Sequence, residues 1–259
     1  MLAIGDFWIG SEFWARRCSY SGHLNVSGGF VRAVYTAIEK KLQGGMHLLL
    51  SDPWYYENQA RKLGCVRIAG IDEAGRGPIA GPVVAAAVIL SQDFDCSQLR
   101  DSKAMTPARR DLMYDRILER AVAVGIGVVG PDIIDEINIL RATELAMAEA
   151  VRNLQLRCDL ALVDGLPVRN LGVPSRAIVK GDCKSASIMA ASIVAKVTRD
   201  RIMLDLDRMY PQYGFCRNKG YATKAHLEAI RKWGVSACHR KTFAPVRERI
   251  LSCQLPGLE

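Results

Sequence analysis

A chain of 259 residues with 49% hydrophobic side chains is long enough to bury one large core or two smaller ones. Its eight cysteines are scattered singly with no CxxC pair, and no apolar run nears the roughly 20 residues that span a bilayer. This leaves a zinc site without support and offers no membrane-spanning helix, and it fits a reducing cytosol better than a disulfide framework. Lys and Arg outnumber Asp and Glu by 35 to 27, and residues 208–249 hold ten basic residues against two acids, a difference equal to the whole net charge of +8. Such a segment is either a solvated surface or a contact for a polyanion, most often nucleic acid.

The first 50 residues show neither clean periodicity nor a signal-peptide core, and Asp6 and Glu12 weaken an organelle-targeting reading. Residues 1–50 are therefore expected to be a poorly ordered extension or a start-site artefact, with the native chain beginning near Met46. One domain over residues 51–259 should follow, its basic helical part starting near 208. From residue 66 the pattern alternates. "VRIAGI" and the fully apolar "VVAAAVIL" predict strands, and "TPARRDLMYDRILERA" a helix capped by Thr106 with Pro107 at its first position. "VAVGIGVV" is a third strand and "NILRATELAMAEAVRNL" a long amphipathic helix. "LALVD" and "SRAIV" are two further strands, "KSASIMAASIVAKVTRDRIMLDLDRM" a second long helix and "TKAHLEAIRKW" a short helix in the basic tail. Strands that sometimes follow one another and sometimes alternate with helices predict an α/β fold with a mixed five-stranded sheet.

Four acids fall at the ends of these elements. Asp72 and Glu73 end the first strand, Asp164 ends "LALVD", and Asp182 lies between the fifth strand and the long helix. Strand ends line the clefts of open α/β sheets. Carboxylates converging there would repel one another unless a hard divalent ion with oxygen preference, Mg²⁺ or Mn²⁺, neutralised them. Each acid also has a local reading. Asp164-Gly165 is a common turn pair, Asp182 a helix cap, and Asp72 or Glu73 a partner for Arg76. "GRGPIAG" lacks the Gly-Lys-Ser/Thr of nucleotide triphosphatases.

These segments resemble the ribonuclease HII family. "GIDEAGRGPIAGPV", "RDSKAMT", "INILRATELAMAEAV", "VDG", "KGDCKSASIMAASIVAKVTRDR" and "YPQYGFCRNKGYATKAHLEAIRKWGVSACHRKTFAPV" are similar to its motifs, in order, from about Tyr55 to about Val246. The resemblance implies a ribonuclease H-like sheet flanked by helices with a helical basic C-terminal portion. It implies hydrolysis of the RNA strand of RNA–DNA hybrids, and incision 5′ of single ribonucleotides in duplex DNA, leaving 3′-hydroxyl and 5′-phosphate ends. Asp72, Glu73, Asp164 and Asp182 are its catalytic, metal-holding acids, and the cofactor is Mn²⁺ or Mg²⁺. The nucleic acid would meet Gly75, Arg76, Gly77, Ser102, Lys103, Lys184 and Tyr221. Lys180, beside Asp182, would meet phosphate or balance acid charge, and His226 and His239 would be structural or phosphate-facing. The protein is expected to be a cytoplasmic monomer with no membrane partner. Leu166, where the family often has Asn, and the N-terminal extension depart from the pattern. A different carboxylate-metal nuclease and a non-catalytic nucleic-acid binder are the rival readings. The first would cut all-DNA duplexes, and the second would bind with steep salt dependence and cut nothing.

Overall fold

The computed structural model describes residues 52–99 and 105–254. Residues 1–50 and the pair Ser102 and Lys103 lie outside them. Five strands form one sheet: β1 (Ile68–Ala74), β2 (Val83–Leu90), β3 (Ala121–Val129), β4 (Leu160–Asp164) and β5 (Ser175–Ile178), in the order β3-β2-β1-β4-β5. β1 pairs antiparallel with β2 and parallel with β4, so the sheet is mixed. β2 is buried along its whole length because helices cover both faces. Ala86 and Val88 pack against α4 (Ala186–Met209), while Ala85 and Ala87 pack against α3 (Pro131–Arg152). A continuous apolar run is what a two-sided strand requires, and each fully buried Val or Ile stabilises by about 1.5–3 kcal/mol.

The helix starts follow local capping chemistry. Thr106 accepts from the Arg109 amide at the start of α2 (Pro107–Arg120), and Ser185 does the same for α4 through Ile188 N–H. The cap of α4 is thus Ser185 and not Asp182, which sits in a short 3-10 turn, Gly181–Cys183. The sequence pattern begins the α3 helix at Asn138, whereas the helix begins at Pro131. Both boundaries have a physical basis. Asn138 leaves helical geometry (φ 68°, ψ 163°), and its side chain accepts from the amides of Leu140 and Arg141. It therefore caps the second half of a broken helix.

The basic C-terminal portion folds onto the loop between β1 and β2. It holds α5 (Phe215–Asn218), α6 (Lys224–Trp233) and α7 (Ala244–Gln254), while α1 (Tyr55–Lys62) precedes the first strand. Ile79, Ala80 and Met203 share a core with Tyr213, Phe215, Ile230 and Val246. The backbone seals the contact, since Arg240 N–H donates to Ile79 O (2.9 Å) and Gly81 N–H to Cys238 O (2.8 Å). Asp135 of α3 adds a further tie, accepting from the Lys241 and Thr242 amides at 2.7 and 2.9 Å. Among the described residues no helix is long and apolar enough to cross a membrane.

Candidate active site

The sheet register positions the first two acids. The paired residues of β1 and β4 run in parallel up to Ile71 opposite Val163, so the next residues, Asp72 and Asp164, stand side by side at the strand ends. Side chains alternate along a strand. Asp72 therefore shares a face with Gly70, and Asp164 shares one with Leu162, which packs with Ile188 of α4. A Cβ on Gly70 would come within 2.0 Å of the Ser187 backbone, so only glycine lets α4 lie this close to β1. Both carboxylates thus face α4.

Asp72 is 7% exposed, and its Oδ1 accepts from the Glu73 amide at 2.8 Å. Burial, and then the charges of Glu73 and Asp164, push its pKa up to about 8 against a hydrogen bond to Ser192. Glu73 is also raised, by burial first and Asp164 less, against the opposing Arg76 guanidinium. That guanidinium lies 3.0 Å from Glu73 Oε1, so the local pairing read from sequence is present. Asp164 Oδ1 accepts from the Gly181 amide at 2.6 Å, which draws the turn carrying the buried Asp182 against the end of β4. The fold thus gathers Asp72, Glu73 and Asp164 electrostatically and brings Asp182 next to Asp164 through the backbone. Among the described residues no three acid, histidine or cysteine side chains close on a single metal-sized point. The donor chemistry nonetheless fits a hard divalent cation: the four groups are all carboxylates, and burial first, then the neighbouring acids, push Asp72 up to about 8, a cost that a bound cation would offset.

A cleft of about 360 Å³ opens beside Glu73 and runs past Gly75, Ser192, Lys196 and Arg110 to Tyr221. Tyr221 is 49% exposed, so it is not the core aromatic that isolated tyrosines default to. Its ring faces Gly77, where a Cβ would sit 3.6 Å from Cε1. Gly75 has another reason to be glycine. Its φ is +94°, and the place of its Cβ is taken by Arg199, whose Nε and Cδ would be 2.1 and 2.4 Å away. Packing against a buried arginine, more than open approach to a ligand, dictates this residue. Lys184 is half-buried and donates to Val179 O at 2.7 Å, and Lys180 sits in the left-handed region at φ 57°.

Several participants escape a reading by motif. Arg199 and Arg240 are fully buried and have carbonyls for partners. Arg199 donates to Pro82 O, Ala80 O and Lys219 O (3.0, 3.3 and 3.0 Å), and Arg240 to Gly81 O, Arg76 O and Gly75 O (3.0, 3.0 and 2.6 Å). Burial, and then repulsion from Arg199, bring Arg240 down to about 9, so it remains a cation at neutral pH. Together they bind the glycine loop to the segment carrying Tyr221. Glu57 of α1, also buried, accepts from Ser185 Oγ (2.6 Å) and Ser187 N–H (2.9 Å) at the start of α4, just after Asp182. His226 and His239 are buried, which removes the phosphate-facing option. No local spacing signals these partners, because each contact joins distant segments.

Paired carboxylates at the ends of adjacent parallel strands, under a helix in a β3-β2-β1-β4-β5 mixed sheet, define a ribonuclease H-like fold. The solved ribonuclease H2 from Pyrococcus horikoshii matches with a TM-score of 0.62 and 26% identity, covering 73% of this chain and 99% of that one. The chain in the PCNA:RNase HII complex from Archaeoglobus fulgidus gives 0.61 and 29%, covering 69% and 95%. The family model described as Ribonuclease HII matches residues 69–246, and the ribonuclease HII of Bacillus cytotoxicus is 54% identical over 195 residues, 75% of each chain. The chain belongs to the ribonuclease HII family, divalent-metal-dependent endonucleases of RNA–DNA hybrids.

Proposed function

We propose that this protein, besides cutting the RNA strand of hybrids, incises duplex DNA on the 5′ side of a single embedded ribonucleotide, and that Asp72, Glu73, Asp164 and Asp182 hold the ions for that cut. The observation that supports this best is the placement of Asp72 and Asp164 side by side at the strand ends, next to Glu73, which lines a cleft together with Tyr221, whose ring faces Gly77. A pair of Mg²⁺ or Mn²⁺ ions would supply charge neutralisation at the phosphate and an activated water. The chain's own residues do the rest. Asp72, held by the Glu73 amide, and Asp164, held by Gly181, present oxygens from a rigid sheet end. The Gly75–Gly77 backbone faces the ribose and reads its 2′-hydroxyl, the group that separates RNA from DNA. Arg76, 3.0 Å from Glu73, exchanges that partner for a phosphate as cations occupy the acids. Tyr221 stacks on the sugar or base at the RNA–DNA junction. Arg110 and Lys196 on the cleft wall, and Lys184 outside it, carry the flanking backbone. Ser102 and Lys103 are proposed to meet phosphate as well. Hydrolysis then breaks the P–O3′ bond on the 5′ side of the ribonucleotide, giving a 3′-hydroxyl and a 5′-phosphate with no covalent enzyme intermediate.

One gel tests this: a duplex with a single internal ribonucleotide and an all-DNA duplex, each with Mg²⁺, Mn²⁺ or EDTA. The expected result is one 5′-side cut of the first duplex only, with metal only. Cleavage of the all-DNA duplex, or metal-independent cutting, overturns the proposal.

A further inference from the structure

Tyr221 stands at the cleft on a loop and not on a helix or strand, so something must hold it. Upstream, the loop is tied by Arg199 to Lys219 O (3.0 Å) and by Ile79 N–H to Gly220 O (2.8 Å). Downstream, Tyr221 O accepts two bonds. One, from Thr223 N–H at 2.8 Å, is local and moves with the loop. The other comes from His226 Nδ1, also at 2.8 Å, and reaches into the core.

The partners of the two histidines fix their protons. A carbonyl oxygen only accepts, so His226 Nδ1 carries hydrogen and its Nε2 is a bare lone pair. Two groups of Ser236 meet His239 Nδ1, the backbone N–H at 3.1 Å and the hydroxyl at 2.8 Å; the N–H only donates and the hydroxyl can donate beside it, so that nitrogen is bare and His239 Nε2 carries the hydrogen. The two Nε2 atoms lie 3.1 Å apart, and the tautomers match: His239 donates, His226 accepts. The result is a directed chain running from Ser236 N–H through His239 and His226 to Tyr221 O. Aromatic walls keep it dry and hold both rings in place, with Tyr213 4.7 Å from His239 and Phe215 5.3 Å from His226. His226 is 0% and His239 1% exposed, while the tyrosine they serve is 49% exposed.

We infer that His226 is the positioning residue of this relay for ribonucleotide recognition: its Nδ1–H ties the backbone of Tyr221 to the Tyr213–Phe215 core and so sets the ring against Gly77, while His239 selects the tautomer that donates. The inference rests on the proposed junction role of Tyr221. A loop tied only by its own turn would let the ring drift. Drift of about 1 Å in a positioning group lowers a rate by up to about a hundredfold without abolishing binding.

Two substitutions separate positioning from mere packing, because each keeps one half of the relay. In His226→Asn the side-chain amide falls where Nδ1 was and still donates to Tyr221 O, but the bond from His239 is lost. In His226→Gln the amide oxygen falls where Nε2 was and still accepts from His239, but Tyr221 is released. Each variant gives up one buried hydrogen bond, so the two should lose similar thermal stability. The reading is kcat/KM on a single-ribonucleotide duplex, set against the Kd for the same duplex without metal, with Tyr221→Ala in parallel. The expected result is His226→Asn within about threefold of the unaltered chain and His226→Gln down by roughly tenfold or more, both with Kd nearly unchanged. Equal losses in the two variants, with Tyr221→Ala slow, overturn the relay alone. A Tyr221→Ala enzyme as fast as the unaltered chain overturns the junction role and the relay with it. Imidazole ¹⁵N spectra of the unaltered protein give a second check that needs no variant to fold. They should show hydrogen on Nδ1 of His226 and on Nε2 of His239, and the opposite tautomers overturn the relay.

Discussion

Gly75 and Gly77 stand two residues apart in one motif, yet the structure predicts opposite responses to an added methyl group. In Gly75→Ala the new Cβ would meet Arg199 Nε at 2.1 Å, Cδ at 2.4 Å and Pro82 O at 2.8 Å, at a φ of +94°. The backbone strain alone costs about 1–2 kcal/mol. Arg199 must also shift, and it is bound to three carbonyls in a fully buried site. Losing one such charged hydrogen bond costs about 1.5–3 kcal/mol. The sum is about 2.5–5 kcal/mol, or roughly 10 °C in Tm for a domain of this size. In Gly77→Ala the Cβ meets only Tyr221 Cε1, at 3.6 Å, an ordinary contact. Stability should stay within about 0.5 kcal/mol, while cleavage of a single-ribonucleotide duplex falls because the methyl group stands between backbone and ribose. Urea denaturation of both variants in EDTA reads the first quantity, and cleavage assays read the second. A Gly75→Ala protein that unfolds at the native midpoint would refute the packing argument. A Gly77→Ala protein that is strongly destabilised would refute the contrast.

Asp72→Asn should abolish cleavage yet stabilise the metal-free fold. The folded protein keeps a proton on Asp72 up to about pH 8, whereas the unfolded chain loses it near 3.8, so ionisation opposes folding as pH rises between the two. In EDTA the variant's advantage should grow by up to about 1.4 kcal/mol per pH unit across that window and level off above pH 8; an advantage independent of pH contradicts the burial argument. The histidine pair predicts acid sensitivity of the opposite sign. Burial, and then His226, lower His239 from 6.5 to about 4, and burial also lowers His226. The unfolded chain therefore takes up protons first, and the contribution, complete above pH 6.5, falls away towards pH 4 by about 3 kcal/mol for His239. Denaturation midpoints of the unaltered chain and His239→Gln between pH 7 and 4.5 should converge in acid, and parallel curves count against this. Tyr221→Ala should slow cutting at a single ribonucleotide more than it weakens duplex binding, as read by cleavage and by fluorescence anisotropy; equal losses point to packing.

Much of the architecture is legible in the residues alone because its causes are local. Thr106 caps its helix through a bond to the amide three residues on, whereas the cap of α4 fell on Ser185 and not on the equally plausible Asp182. The unbroken apolar run of Val83–Leu90 can only be a strand covered on both sides. The four acids stand out as polar residues at element ends, and their motifs carry the family resemblance. Reading α3 from Asn138 missed its first segment, since a capping residue inside a helix looks the same from sequence as one at its start.

What the chain order could not state is which distant groups meet. Asp72 lies beside Asp164 only because β1 and β4 pair in parallel at one register. Gly75 is glycine because of an arginine 124 positions further on, and Arg240 reaches back across 165 residues to the Gly75 carbonyl. The tautomers of His226 and His239 follow from a carbonyl and an amide that lie on opposite sides of the pair. Hydrophobic period and capping depend on neighbours along the chain, so sequence determines them. The partner of a buried charge or imidazole depends on what folding places within about 3 Å of it, and that is decided only when the sheet and the C-terminal portion close on each other.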